Sequence, residues 1–295
     1  MERLFVVGAR PARHSLTPLV WNSIFRKLKM KTRYEAVSAP TSEELHRVLY
    51  RARAEKEVVG LNITMPWKEE AARHVDSLYG TAKAIGAVNT IKCTETGELH
   101  GYNTDGWGAV HALTAAGAKL RGETVVVAGA GGAAKSIVFE LASAGANVRV
   151  HNRTVSRAVE LAGEVNGGLG TQVEAAGLDD IDGNLGDAAV VFNTTSLGAL
   201  GEMREASILS DNQVRLTKPD CFFMDVVYRP RQTAFLKLAS AADRPVVFGS
   251  EMLVMQAAKA FEHFFDKKLP DECIPTMRKA LERALERKEK QAESA

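Results

Sequence analysis

The segment from Glu123 to Arg153, ETVVVAGAGGAAKSIVFELASAGANVRVHNR, limits the fold more than any other part of the chain. It reads as an apolar strand, a glycine turn, a helix and a second strand. The turn carries Gly129, Gly131 and Ala134 in the order G-x-G-x-x-A. Gly129 permits the tight exit from the strand. Gly131 lets the backbone approach a pyrophosphate. Ala134 lets the helix pack closely on the strand, and the free N–H groups of the helix start face the phosphates. A doubly wound sheet that binds a dinucleotide is the predicted outcome. The rival is a P-loop, because GAGGAAKS at residues 129–136 is one residue from that pattern. Its required glycine before the lysine is Ala134, and the later strand VVFNTT offers Asn193 where a P-loop enzyme presents an aspartate for Mg²⁺.

The end of the second strand selects the cofactor. An NAD site places a carboxylate there for the ribose 2′-hydroxyl. This chain has HNRTVSR, with Asn152, Arg153, Thr154 and Arg157. Guanidiniums and a hydroxyl suit a 2′-phosphate, so NADP is expected rather than NAD. Thr154 also reads as a helix N-cap.

The 295 residues suffice for two cores, and a formal net charge of +2 points to neither nucleic acid nor membrane. No apolar run approaches a membrane span, and the N-terminal MERLFVVGARP reads as a first strand rather than a signal peptide. Cys93, Cys221 and Cys273 lie far apart, and the seven histidines form no HxxxH or HExxH. A reducing cytoplasm and no metal are expected. Before residue 105, the runs LFVVG, TRYEAVSA, VVGLNIT and AVNTIKC read as strands. Residues 18–30, 41–55 and 67–79 read as helices, with Thr41 or Ser42 capping the second. The alternation predicts α/β layers on a mostly parallel sheet. Later runs AAVVFNTT, CFFMDVV and PVVFG read as further buried strands. Helices return from Glu251, and the charged KALERALERKEKQAESA reads as a solvated helix fraying into a tail.

Polar residues stand at element edges in the first part. In HSLTP, Ser15 and Thr17 precede a helix, with Thr17 suited to the N-cap and Pro18 to the first helical position. A helix start with two hydroxyls is also a carboxylate site. In VVGLNITMPWKEEA, Asn62 and Thr64 share a strand face, and Pro66 at a helix start would put Lys68 in the first turn. A cation there opposes the helix dipole. AIGAVNTIKC supplies Asn89, and GYNTDG supplies Asn103, Thr104 and Asp105.

The set HSLTP, NITMPWKE, GAVNTI, GYNTDG, GAGGAAK, NRTVSR and GSEMLVMQAAKAFEHFF resembles the shikimate dehydrogenase family, with its quinate/shikimate relatives. The resemblance runs in family order from about residue 4 to 278. It implies a substrate-binding α/β domain over 1–105 and a Rossmann-type NADP-binding domain over 106–248. C-terminal helices over 249–295 would pack on the substrate domain. It implies reversible NADP-dependent reduction of 3-dehydroshikimate to shikimate, in aromatic amino-acid biosynthesis. Ser15 and Thr17 would hold the substrate carboxylate. Asn62, Thr64, Asn89, Thr104, Asp105, Tyr228 and Gln256 would complete the substrate set. Lys68 would be the acid/base residue, with Asp105 as its companion. Gly129, Ala130, Gly131, Gly132, Ala133, Asn152, Arg153, Thr154 and Arg157 would bind NADP, with Val226 and Gly249 near the nicotinamide. A homodimer is allowed for.

The chain departs from the family pattern in places. GARPARHS is longer and more basic than the usual GNPxxHS. Thr17 stands where serine is frequent, Trp21 and Trp67 where histidines are frequent, Glu251 where glycine is frequent, and VYRP replaces VYNP. Thr17 adds a methyl at the carboxylate end, which is compatible with quinate. The alternatives are therefore a dual quinate/shikimate enzyme and, in another class, a non-catalytic NADP-binding regulatory module.

Overall fold

The computed structural model describes residues 1–9 and 15–293, without the side chains of 290–293. Residues 10–14 of the GARPARHS departure and the last two tail residues lie outside the described residues. The chain divides into two compact units, Met1–Thr104 with Gln256–Ala295, and Asp105–Met255.

The first unit is built on six strands: β1 (Glu2–Gly8), β2 (Thr32–Ser38), β3 (Val58–Ile63), β4 (Ser77–Leu78), β5 (Thr90–Cys93) and β6 (Leu99–Tyr102). Their order is β2-β1-β3-β5-β6-β4. β1 is central because Leu4 to Val7 are buried, as a strand covered on both faces requires. It pairs in parallel with β2 and β3. β5 runs antiparallel to both β3 and β6. Among the described residues the sheet is thus mostly parallel, as expected, with β5 alone reversed. A tight hairpin around Gly97, at φ +86°, returns the chain directly from β5 to β6 with no crossover helix.

Four helices lie between the strands: α1 (Thr17–Lys27), α2 (Ser42–Ala54), α3 (Lys68–Ala72) and α4 (Thr81–Ile85). α2 starts at a capping box between Thr41 and Glu44. The helix expected over 67–79 is only α3. After it the chain turns and enters β4, because Asp76 caps the backbone of Leu99 at 2.7 Å and draws the segment onto β6. Pro66 does not open α3. It sits in the turn closed by Trp67 N donating to Thr64 O at 3.1 Å.

In the second unit, β7 (Thr124–Ala128), β8 (Asn147–Asn152), β9 (Glu174–Gly177), β10 (Ala188–Asn193), β11 (Phe222–Asp225) and β12 (Val246–Val247) form one parallel sheet. Its order is β12-β11-β10-β7-β8-β9. This is the doubly wound dinucleotide arrangement, whose ligands lie at the carboxyl ends where β7 and β10 diverge. Helices α5 (Asp105–Ala115), α6 (Gly132–Ser143), α7 (Val155–Leu169), α8 (Asp211–Arg215) and α9 (Ala234–Ala241) follow the same alternation. One core packs α5, α6 and α7 against Val125, Val127, Val148 and Val150. Another packs Phe235, Leu236 and Ala239 against Val126, Val191 and Phe223.

The unit boundary falls within α10 (Gly249–Phe265), and α11 (Ile274–Glu293) ends the described chain. α11 is not merely a solvated tail. Met277, Leu281, Ala284 and Leu285 form a buried stripe at helical spacing, and the helix packs on α1. Lys27 reinforces the contact through Thr276 Oγ1 at 3.1 Å.

Candidate active site

The expected substrate residues of the first unit meet at the carboxyl ends of β1 and β3. Asn62 is the penultimate residue of β3, opposite Thr90 of antiparallel β5. Its amide nitrogen donates to Asn89 O at 3.1 Å and Thr90 Oγ1 at 3.0 Å. Its amide oxygen accepts from the Tyr34 hydroxyl at 2.7 Å. Both donors of Asn62 are therefore spent on holding the Asn89 segment.

Asn89 is buried and central to the network. Its amide nitrogen donates to Thr104 Oγ1 at 3.0 Å and Gln256 Oε1 at 3.2 Å. Its amide oxygen accepts from Thr104 N at 2.9 Å and Thr90 Oγ1 at 2.8 Å. Gln256, 167 residues away in sequence, is thus joined to Asn89. Lys68 is the first residue of α3 and half-buried, and its carbonyl accepts from Val88 N at 2.9 Å. That bond ties the lysine backbone to the residue before Asn89. Thr64 N donates to Val7 O at 2.9 Å, and a Cβ on Gly8 would stand 2.5 Å from Thr64 Cγ2. Gly8 is the residue that lets Thr64 approach the end of β1.

Ser15 and Thr17 are also brought together, with their hydroxyls 3.0 Å apart. The cap differs from the expected one. Leu16 takes the N-cap position without a side-chain bond, Thr17 becomes the first helical residue, and Pro18 the second. Ser15 does the capping work instead, accepting from Thr17 N at 3.3 Å. Pro18 at the second position leaves the helix intact, since the first turn needs no N–H there.

Two buttresses escaped the sequence reading. Tyr34 looked like an ordinary strand tyrosine. It is fully buried and stacked on Trp21 at 5.3 Å, and burial raises its hydroxyl pKa well above the usual value. Trp21, one of the departures, is accordingly an aromatic core residue among Phe25, Phe261 and Phe264. Trp67, another departure, donates its indole N–H to Ala39 O at 2.7 Å.

In the second unit the glycine turn has the geometry its sequence implies. Gly129 has φ +114°, and a Cβ there would lie 2.5 Å from Thr194 Oγ1. Gly131 is the N-cap of α6 with no side-chain bond to the helix start. Gly131 and Gly132 are exposed, and a Cβ on either meets nothing within 4 Å. The first N–H groups of α6 therefore face open space suited to a pyrophosphate. Ala134 is fully buried, as close helix–strand packing requires. Thr194 fixes the facing loop through its hydroxyl to Ala128 O at 2.8 Å.

Gly129 N donates to His151 O at 2.8 Å, so the turn lies beside the end of β8. There Asn152 Nδ2 donates to Thr154 O at 2.9 Å, and Thr154 is the N-cap of α7. Arg153 and Arg157 are exposed. Among the described residues neither has a carboxylate partner, whereas nearby Arg149 is held by Glu174 at 3.2 Å and Asp187 at 3.1 Å. Two uncompensated guanidiniums beside a glycine turn fit the 2′-phosphate of NADP.

A second network sits under the carboxyl ends of β10 and β11. Asn193 and Asp225 are paired in register. Asp225 accepts from Asn193 Nδ2 at 3.0 Å, Val227 N at 2.8 Å and Thr233 Oγ1 at 2.7 Å. It fixes the segment containing Val226 and Tyr228. Val226 N donates to Asn193 O at 3.0 Å, and burial raises the pKa of the Tyr228 hydroxyl. Gly249 follows β12, and a Cβ there would lie 2.7–2.9 Å from the carbonyls of Asp225, Val226 and Val227. Only glycine lets α10 start this close to that segment. Asp105 is the buried first residue of α5, where a carboxylate favours the positive helix end.

Burial pushes the Asp225 carboxyl up to about 6, against the three hydrogen bonds that lower it. A raised native pKa means stability that is present below about pH 4 and lost as pH rises through about 6. His263 acts oppositely. Burial lowers it to about 4, so its contribution is lost as pH falls from the usual histidine range. The wild-type pH curve mixes both, so a variant separates them. Relative to Asp225→Asn, the wild type should lose roughly 3 kcal/mol between pH 4 and 7. Denaturant unfolding across that range measures it, and parallel curves would contradict the assignment.

The sequence profile of the shikimate dehydrogenase substrate binding domain matches residues 6–91, and that of shikimate / quinate 5-dehydrogenase matches residues 111–232. The shikimate dehydrogenase (NADP(+)) of Methanosarcina acetivorans is 40% identical over 279 residues, covering 93% of this chain and 96% of the relative. The Thermus thermophilus shikimate 5-dehydrogenase, solved with NADP(H) and shikimate, is 36% identical with a TM-score of 0.83. It covers 97% of this chain and 100% of its own. The Corynebacterium glutamicum quinate dehydrogenase, solved with NAD, is 28% identical with a TM-score of 0.84, covering 95% of this chain and 98% of its own.

Proposed function

This chain belongs to the shikimate dehydrogenase family, and we propose that it catalyses the NADP-dependent, reversible reduction of 3-dehydroshikimate to shikimate. The observation that carries the reading is the joined set Asn62, Asn89, Thr104 and Gln256, with Lys68 tied to it through Val88. With its hydrogen bonds satisfied, such a network rigidifies the carboxyl ends of the strands and holds these side chains in one arrangement.

NADPH, when bound, supplies the hydride. The helix start at Gly129–Ala133 would hold its pyrophosphate, and Asn152, Arg153, Thr154 and Arg157 its 2′-phosphate. Val226 and Gly249 would border the nicotinamide. Ser15 and Thr17 would hold the substrate carboxylate with paired hydroxyls. Thr64, Asn89, Thr104, Tyr228 and Gln256 would orient its hydroxyls. Asn62, its donors spent within the protein, would act by fixing Asn89. As ketone reduction builds negative charge on oxygen, the Lys68 ammonium would stabilise that charge and deliver the proton, with Asp105 as its companion. The proposed division is a substrate domain over 1–105, an NADP domain over 106–248 and returning C-terminal helices over 249–295. A cytoplasmic location and a homodimer belong to the same reading. No helix among the described residues is long and apolar enough to cross a membrane.

Arg153→Ala tests the cofactor assignment. It should raise the KM for NADP by about tenfold or more, from lost charge-assisted bonds, and leave NAD within about twofold. Equal effects on both would remove the 2′-phosphate contact.

A further inference from the structure

We propose that His46, Glu70 and His74 form a binding site for a divalent transition-metal ion of the Zn²⁺ class. His46 comes from α2, Glu70 from α3, and His74 from the turn just after it. One ligand atom from each lies within 4.8 Å of the others. Tetrahedral Zn²⁺ with bonds of about 2.0–2.1 Å needs ligand atoms about 3.3 Å apart, which small side-chain rotations supply.

The three side chains are grouped closely, with His46 and Glu70 within ion-pair distance. His46 Nε2 is 3.1 Å from Glu70 Oε1, yet it makes no hydrogen bond and its atom is buried from solvent. A buried ring nitrogen facing a carboxylate at unsuitable angles is a nitrogen that lacks its partner. The two imidazoles lie 4.0 Å apart and tilted by 56°. Arg73 N to Glu70 O and His74 N to Ala71 O, each 3.0 Å, continue the helical turn, so Glu70 and His74 share one face. The Ser42 hydroxyl donates to Glu70 Oε1 and fixes the carboxylate from outside. His74 is exposed, which gives an ion an entry path and leaves a fourth position for water.

Two imidazoles and one carboxylate select Zn²⁺-type ions over Mg²⁺ or Ca²⁺. Arg53 and Arg73 lie within electrostatic reach of His74 and oppose a cation, so the affinity should be moderate. The histidines follow no recognised spacing because two elements supply them, so no sequence motif marks the set. Nothing in the proposed hydride chemistry uses this set. An ion here would clasp α2 to α3.

The test is calorimetric titration of the EDTA-treated full chain with Zn²⁺, alongside Co²⁺ absorption. One ion per chain should bind the wild type. His74→Ala, an exposed position whose loss spares the fold, should weaken binding at least about tenfold, and His46→Ala likewise. Dehydrogenase activity of both variants, within about twofold of wild type, serves as the folding control. The wild type's tetrahedral Co²⁺ bands should vanish in each variant. Absence of uptake by the wild type, or uptake unchanged in His74→Ala, overturns the site.

Discussion

Lys68→Ala is expected to lower kcat by about 10²- to 10⁴-fold, the range for a lost general acid. KM for shikimate should move by only a few-fold, because the ammonium acts on charge that develops during the reaction. Lys68 opens a helix of five residues and is half-buried, so its side chain carries little of the fold. Its backbone bond to Val88 survives the substitution, and so does the Asn89 network. Lys68→Arg keeps the charge but not the compact donor, and should recover only part of the rate. Unchanged kcat in Lys68→Ala, with shikimate and NADP, would remove the lysine from the chemistry.

Gly106→Ala should be the most damaging single methyl in the NADP unit. A Cβ at Gly106 would sit 2.0 Å from Ser136 O and 2.6 Å from Ser136 C. Both are backbone atoms of α6, so a side-chain rotation cannot relieve the overlap. Alanine would ordinarily gain up to about 1 kcal/mol over glycine inside a helix. Here overpacking should outweigh that gain and cost about 3 kcal/mol or more. Tm of the NADP unit would fall by roughly 6–12 °C on the scaling for domains of about 150–250 residues. Gly106 follows Asp105, so any shift of α5 also displaces the proposed partner of Lys68, and kcat/KM should fall as well. Gly163→Ala is the matched contrast. It lies on an exposed face of α7 with nothing within 4 Å of its Cβ, and should stabilise by about 0.5–1 kcal/mol. Scanning calorimetry of both variants separates helix propensity from backbone collision. A stable Gly106→Ala would contradict the close crossing of α5 and α6.

Much of the fold was legible because local patterns carry it. The glycine turn, with Gly129 at positive φ and Ala134 buried, announces a doubly wound sheet, and the observed strand order is that arrangement. What stayed hidden depends on partners distant in sequence. Tyr34 bonding Asn62, Asn62 bonding Thr90, and Asp225 joining Asn193 to Thr233 all link different strands or loops. Nothing near any of these residues marks it. The β5–β6 hairpin was missed because its short strands alternate weakly, so the expectation of a mostly parallel sheet did not single out β5 as the reversed strand. The buried stripe of α11 was masked by the charges between Leu281 and Leu285. Of the candidate residues, Tyr228, Gln256, Val226 and Gly249 rest on family resemblance alone, whereas element edges and the glycine turn mark the others. Physical pattern also marked Lys68 as out of place at a helix start and the arginines as replacing a carboxylate.

The most direct test of the central claim is steady-state oxidation by the purified chain of shikimate and quinate, each with NADP and NAD. The predicted result is highest kcat/KM for shikimate with NADP, by about tenfold or more over each other pair, a difference of about 1.4 kcal/mol. Thr17 bears on the substrate axis, and Arg153 with Arg157 on the cofactor axis, so the four rates read the two halves of the assignment separately. A preference for quinate with NAD would contradict both.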